Sequence, residues 1–127
     1  MDTDACVAYL NGGDPKLRHR WLRSPSEDMA LCSVVKAELT HGAWGSTDPL
    51  GTLARVNQFC ASMRSLPFHD RAAQIYGEIV STLDRRGRAI GTCDAMIAAI
   101  ALADNLTVVT RNTRHFRRIP ALRVVRW

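Results

Sequence analysis

The stretch Thr92-Cys93-Asp94-Ala95-Met96-Ile97-Ala98-Ala99-Ile100-Ala101-Leu102-Ala103-Asp104, followed at once by Asn105-Leu106-Thr107-Val108-Val109-Thr110, decides the fold. The first part is apolar and Ala-rich on every side, which predicts a buried helix. The second part is short, apolar and β-branched, which predicts a strand over 106–110. A buried helix leading into a buried strand is a unit of a parallel α/β sheet.

The rest of the chain repeats that alternation. Residues 29–33 read as a strand, and 34–41 as a helix closed by Gly42. The Gly, Ser, Asp and Pro residues of 43–51 read as a loop. Leu53, Val56, Phe59, Cys60 and Met63 recur at helical spacing over 52–63. A weak strand is expected at 65–68, then a helix through Leu83 with Asp70 as its N-cap. Residues 85–91 form a basic loop, 111–116 a polar turn and 122–127 a last strand. Upstream, a short helix ends at Gly12-Gly13, and a basic helix over 15–23 starts with Pro15. The reading is an α/β chain with a central parallel sheet covered on both faces and right-handed crossovers.

Length and composition set the outer bounds. A chain of 127 residues is one domain, here 1–127. Its 46% hydrophobic content supports an ordinary core. Seventeen Lys and Arg against 12 Asp and Glu give a net charge of +5. That surplus favours an anionic partner. Fifteen of the basic residues are Arg, the better fork for phosphate. No apolar run approaches the ~18 residues of a membrane span. Asp2 follows Met1 where a secretory leader would be basic, so a cytoplasmic, membrane-free protein is expected. Cys6, Cys32, Cys60 and Cys93 form no C-x-x-C pair and are expected as four buried, reduced thiols.

Three carboxylates lie where the pattern would favour an apolar residue. Glu38 shares a helix face with Val34 and Val35, and Asp94 shares one with Ile97 and Ala98. Asp2 stands where a first strand would end. A carboxylate on a buried face is costly unless it is paired or bound to a cation. Each has an ordinary reading when taken alone. Asp94 suits a helix dipole, Glu38 a half-exposed helix, Asp2 a loose terminus. Asp4 reads as an N-cap. His41, His69 and His115 are not spaced as a triad or as metal ligands, and His115 is the one nearest the pattern. Together, however, Asp2, Glu38, Asp94 and the amide of Asn112 fall at the strand ends, where α/β folds bind ligands. An all-oxygen set of that kind suits Mg²⁺ or Mn²⁺. No Lys lies nearby as an internal counter-ion.

Four motifs occur in order: Met1-Asp2-Thr3-Asp4; Ser33-Val34-Val35-x-Ala37-Glu38-Leu39-x-x-Gly42; Gly87-Arg88-x-Ile90-Gly91-x-x-Asp94-x-x-Ile97-Ala98-Ala99; and Thr110-x-Asn112-x-x-x-Phe116-x-x-Ile119-Pro120-x-Leu122. Together they resemble the PIN-domain ribonucleases, specifically the VapC toxins of type II toxin–antitoxin modules. The resemblance implies a three-layer α/β/α sandwich and Mg²⁺- or Mn²⁺-dependent hydrolysis of RNA. It implies catalytic roles for Asp2, Glu38, Asp94 and Asn112, with Asp2, Asp94 and Glu38 as metal ligands. Glu38 either completes the metal's shell or orients the attacking water. It also implies a VapB-type antitoxin as partner and a homodimer.

Arg85, Arg86 and Arg88, with Arg111 and Arg114, are the expected RNA-binding residues beside the acids. The family carries apolar residues before its first Asp, whereas here only Met1 precedes it. The expectation is therefore a shortened first strand or a chain that starts further upstream. Two rivals remain. Asp2-Thr3-Asp4 fits the D-x-D of haloacid-dehalogenase phosphatases, but their late acidic pair is absent. The other is a PIN-like RNA- or protein-binding domain without catalysis.

Overall fold

The computed structural model describes residues 1–127. The helix predicted from the opening stretch is α6 (Thr92–Ala103). It buries Ala95, Ile97, Ala98, Ala99, Ile100, Ala101 and Ala103, so it is enclosed on several sides. Asn105 then takes a left-handed conformation, φ 55°. The Leu106 N–H donates to the Ala101 carbonyl at 2.7 Å, closing the helix end. Asn tolerates that backbone better than most residues, and the closure turns the chain directly into a strand.

The other helices are α1 (Thr3–Leu10), α2 (Pro15–Arg23), α3 (Ser33–Trp44), α4 (Pro49–Ala61), α5 (Asp70–Arg85) and the single turn α7 (Thr113–Phe116). A short 3₁₀ turn occupies Ser26–Asp28. Helix α5 packs along α6, while α3 packs against α1, α4 and α6. Tyr9 stacks on Trp21 with ring centroids 4.4 Å apart, and Phe59 closes on both rings. That cluster ties α1, α2 and α4 together.

All strand pairing is parallel. Strand β1 (Ala30–Cys32) pairs with β2 (Arg64–Leu66), and β3 (Thr107–Thr110) pairs with β4 (Arg123–Arg126). The expected central sheet is therefore two pairs. The Met1–Asp2 segment lies between them. The Met1 ammonium donates to the Ala30 carbonyl at 3.2 Å. The Asp2 N–H donates to the Val109 carbonyl at 2.9 Å. Two residues provide one bond to each side, too few for a ladder, so the first strand is shortened to a junction. Beyond it lies a mainly apolar cleft of about 420 Å³, lined by Met1 and residues of all four strands.

Several sequence expectations need correction. Helix α3 is not closed by Gly42 but runs on to Trp44. Mid-helix Gly costs about 1 kcal/mol, which burial of Ala43 (1% exposed) offsets. The 43–51 loop is shorter than expected, because Asp48 caps α4 and Pro49 opens it. Asp70 is the first residue of α5 rather than its cap. His69 Nδ1 accepts from the Ala72 N–H at 3.3 Å. The polar turn after β3 contains α7. Only Cys6 and Cys32 are buried, and Cys60 and Cys93 are half-buried, with all four free. No helix is long and apolar enough to cross a membrane.

Candidate active site

All four sequence-predicted site residues line one cleft of about 340 Å³. Asp2 comes from the junction, Glu38 from α3, Asp94 from the first turn of α6, and Asn112 from the segment between β3 and α7. Thr3, Asp4, Val7, His115 and Phe116 complete the lining. The wall thus holds four carboxylates and neither Lys nor Arg. In a chain of net charge +5, the negative charge is gathered at one place.

Asp2 is the most enclosed of these groups, at 3% exposure. It also caps α1, a role the sequence reading gave to Asp4. Its Oδ1 accepts from the Ala5 N–H at 3.0 Å. The reason is reach: from Asp2 that N–H lies three residues on, the usual N-cap target, while Asp4 is already inside the first turn. Burial raises the Asp2 carboxyl above the ordinary carboxylate value, and hydrogen bonds from Thr110 and Ala5 work against that rise. Anchorage does not depend on a long first strand. Ala5 and Cys6 of α1 are fully buried and hold the terminus down.

Thr110, fully buried, joins two site residues. Its hydroxyl donates to Asp2 and accepts from the Asn112 N–H at 2.8 Å. Glu38 is braced similarly. The Thr3 hydroxyl donates to Glu38 Oε2, and the Cys93 thiol hydrogen-bonds the same carboxylate. Burial raises the Cys93 thiol above its ordinary value, and Glu38 pushes it the same way. A carboxylate has about four lone-pair positions, so Glu38 keeps capacity for a further partner.

Asp94 meets His115, with Nδ1 and Oδ2 3.3 Å apart. The sequence reading found no internal cation near the acids because it searched for Lys. It missed His115, and the signal was its position three residues after Asn112 in a helical turn. The five Arg expected to bind RNA line no part of the cleft. Arg85, Arg86, Arg88, Arg111 and Arg114 are all exposed around it. Arg111 lies 3.9 Å from Asp14.

The donor set fits a hard divalent cation in kind, because Asp2, Glu38, Asp94 and Asn112 all offer oxygen. No three of the His, Cys, Asp and Glu side chains are drawn together closely enough to form a finished cage. Each carboxylate is instead held by a protein donor: Asp2 by Ala5, Glu38 by Thr3, Asp94 by His115.

Parallel strand pairs, helices around them, and acids gathered from separate elements define a PIN domain, and the PIN domain family matches residues 1–122. Among curated proteins, the tRNA(fMet)-specific endonuclease VapC of Salmonella typhimurium is 35% identical over 127 residues, covering 100% of this chain and 96% of that protein. A crystal structure of DNA-bound VapBC from the same organism superposes with a TM-score of 0.93 at 35% identity, covering 99% of this chain and 95% of that one. VapBC2 of Rickettsia felis, solved bound to a promoter DNA fragment, gives 0.91 at 30% identity, covering 99% and 96%. The chain belongs to the PIN-domain family, in its VapC branch.

Proposed function

We propose that the protein is the toxin of a type II toxin–antitoxin module, a divalent-metal-dependent endoribonuclease restrained by a VapB-type antitoxin. The observation that carries this reading is the convergence of Asp2, Glu38, Asp94 and Asn112 from four separate elements on one cleft. The relatives named above act as VapC nucleases and assemble as VapBC, and the likeness spans the whole chain.

Asp2 and Asp94 are the first-choice holders of Mg²⁺ or Mn²⁺, with Glu38 and the Asn112 amide oxygen beside them. The cation supplies Lewis-acid polarisation of the scissile phosphate and offsets its repulsion by the acids. Glu38, held by Thr3 and Cys93, orients the attacking water and takes its proton on a carboxylate oxygen. Thr110 keeps Asp2 and Asn112 in register. The Arg residues around the rim hold the RNA backbone, with an affinity that falls as salt rises.

The test is cleavage of RNA by purified protein with Mg²⁺ or Mn²⁺, and its loss in EDTA. Initiator tRNA is the first substrate to try, given the name of the Salmonella relative. Asp94→Asn should reduce the rate on the order of a thousandfold, since a lost metal contact removes several kcal/mol of transition-state stabilisation. The circular dichroism spectrum should not change. Undiminished EDTA-sensitive cleavage by Asp94→Asn would overturn the assignment.

A further inference from the structure

We propose that His115 is a nitrogen ligand that tunes this centre toward borderline divalent cations, of the Mn²⁺ and Co²⁺ class, and away from Mg²⁺. The inference rests on the functional reading above and adds a donor of different chemistry to it.

Three observations support it. The first is position. Helix α7 is a single turn that begins after Asn112, and Phe116, 1% exposed, fixes it to the core. His115 stands three residues after Asn112, and both side chains line the acidic cleft. The second is orientation. His115 Nδ1 lies 3.3 Å from Asp94 Oδ2. Histidines that bind metals commonly donate one ring N–H to a carboxylate, which fixes the ring and leaves the other nitrogen for the metal. Here Nδ1 is engaged, and Nε2 carries the free lone pair. The third is composition. His115 is the one imidazole in a wall of four carboxylates and an amide.

The usual alternative is a surface ion pair between His115 and Asp94. Their side chains are 47% and 31% exposed, so such a pair would contribute little stability. Stability therefore gives little reason for an imidazole there. Ligand chemistry gives a stronger one. Carboxylate and amide oxygens suit Mg²⁺ and Mn²⁺ alike, whereas imidazole nitrogen favours the transition metals. One nitrogen among oxygens separates cations that an all-oxygen set would hardly distinguish.

The experiment uses the full-length protein stripped with EDTA and dialysed. Mn²⁺ binding is followed by electron paramagnetic resonance, Co²⁺ by visible absorption, and Mg²⁺ by competition against Mn²⁺. Wild type, His115→Gln, His115→Glu and Asp94→Asn are compared. In the wild type, bound Mn²⁺ should show ¹⁴N echo modulation from a directly bound imidazole. His115→Gln should abolish that modulation and weaken Mn²⁺ and Co²⁺ about tenfold, with Mg²⁺ changed by less than about twofold. His115→Glu should restore overall affinity while shifting the preference back to Mg²⁺.

Unchanged cation affinities in His115→Gln, or absent ¹⁴N modulation in the wild type, would overturn the proposal. If Asp94→Asn still abolished binding in that case, the metal-nuclease reading would survive alone. If the wild type bound none of the three cations, or if Asp94→Asn bound them all normally, both would fall.

Discussion

Asp94 and Asp2 face the same cleft from two differently built regions. Asp94 stands in the first turn of α6, a helix with seven buried residues. Asp2 stands on a two-residue junction with one backbone bond to each strand pair. Yet Asp2 is buried, while the Asp94 side chain is 31% exposed. Burial and anchorage are therefore separate here. The α6 acid is carried by apolar packing elsewhere on its helix and keeps contact with water. The junction acid is held by directional bonds from Ala5 and Thr110 and loses its hydration.

That contrast is open to attack, starting with the largest effect on stability. Ile100→Ala removes a side chain that is 1% exposed from α6. It should cost about 2–5 kcal/mol in urea unfolding while leaving activity per folded molecule intact. A loss of activity without loss of stability would show that α6 does more than support. Thr110→Val acts on the junction instead. It orphans the Asn112 N–H and removes a donor from Asp2, at about 1–3 kcal/mol. Here cleavage should fall along with stability, and equal behaviour of the two variants would erase the distinction.

A subtler test uses pH in EDTA. The Asp2 carboxyl is raised above 3.8 by burial, so between 3.8 and its raised value the folded state holds more proton than the unfolded chain. Stability falls as pH rises through that window and stays reduced above it. Asp2→Asn removes the charge, so its Tm at pH 7 should exceed that of the wild type, with the gain shrinking below pH 3.8. No gain at pH 7 would mean that Asp2 is hydrated in solution.

The smallest effect concerns thiols. Burial pushes Cys6 up to about 12 and raises the other three as well. Iodoacetamide at pH 8 should slowly label half-buried Cys60 and Cys93, and reach Cys6 and Cys32 only after unfolding. Early labelling of Cys6 would show that the α1 anchor is loose.

Much of this was legible in the residues. The apolar run of α6 and the β-branched run after it have no stable arrangement other than burial. The acids at Asp2, Glu38 and Asp94 stood out because they interrupted apolar faces. What was not legible depends on single contacts across the chain. Whether Asp2 or Asp4 caps α1 turns on which oxygen meets the Ala5 N–H. The helix past Gly42 depends on what covers Ala43. The split of the sheet depends on two bonds made by Met1 and Asp2, which no local pattern encodes. His115 was visible as a residue, but its contact with Asp94 spans 21 positions.

The junction has one further consequence, a mechanical one. In a continuous sheet, shear between neighbouring strands is carried by a full ladder of bonds. Here two bonds cross the seam. Glu38 belongs to the half that contains β1, and Asn112 and His115 belong to the half that contains β3. Whatever grips these side chains at once therefore also staples the two halves, and the cleft lies along the line where the backbone is least cross-linked.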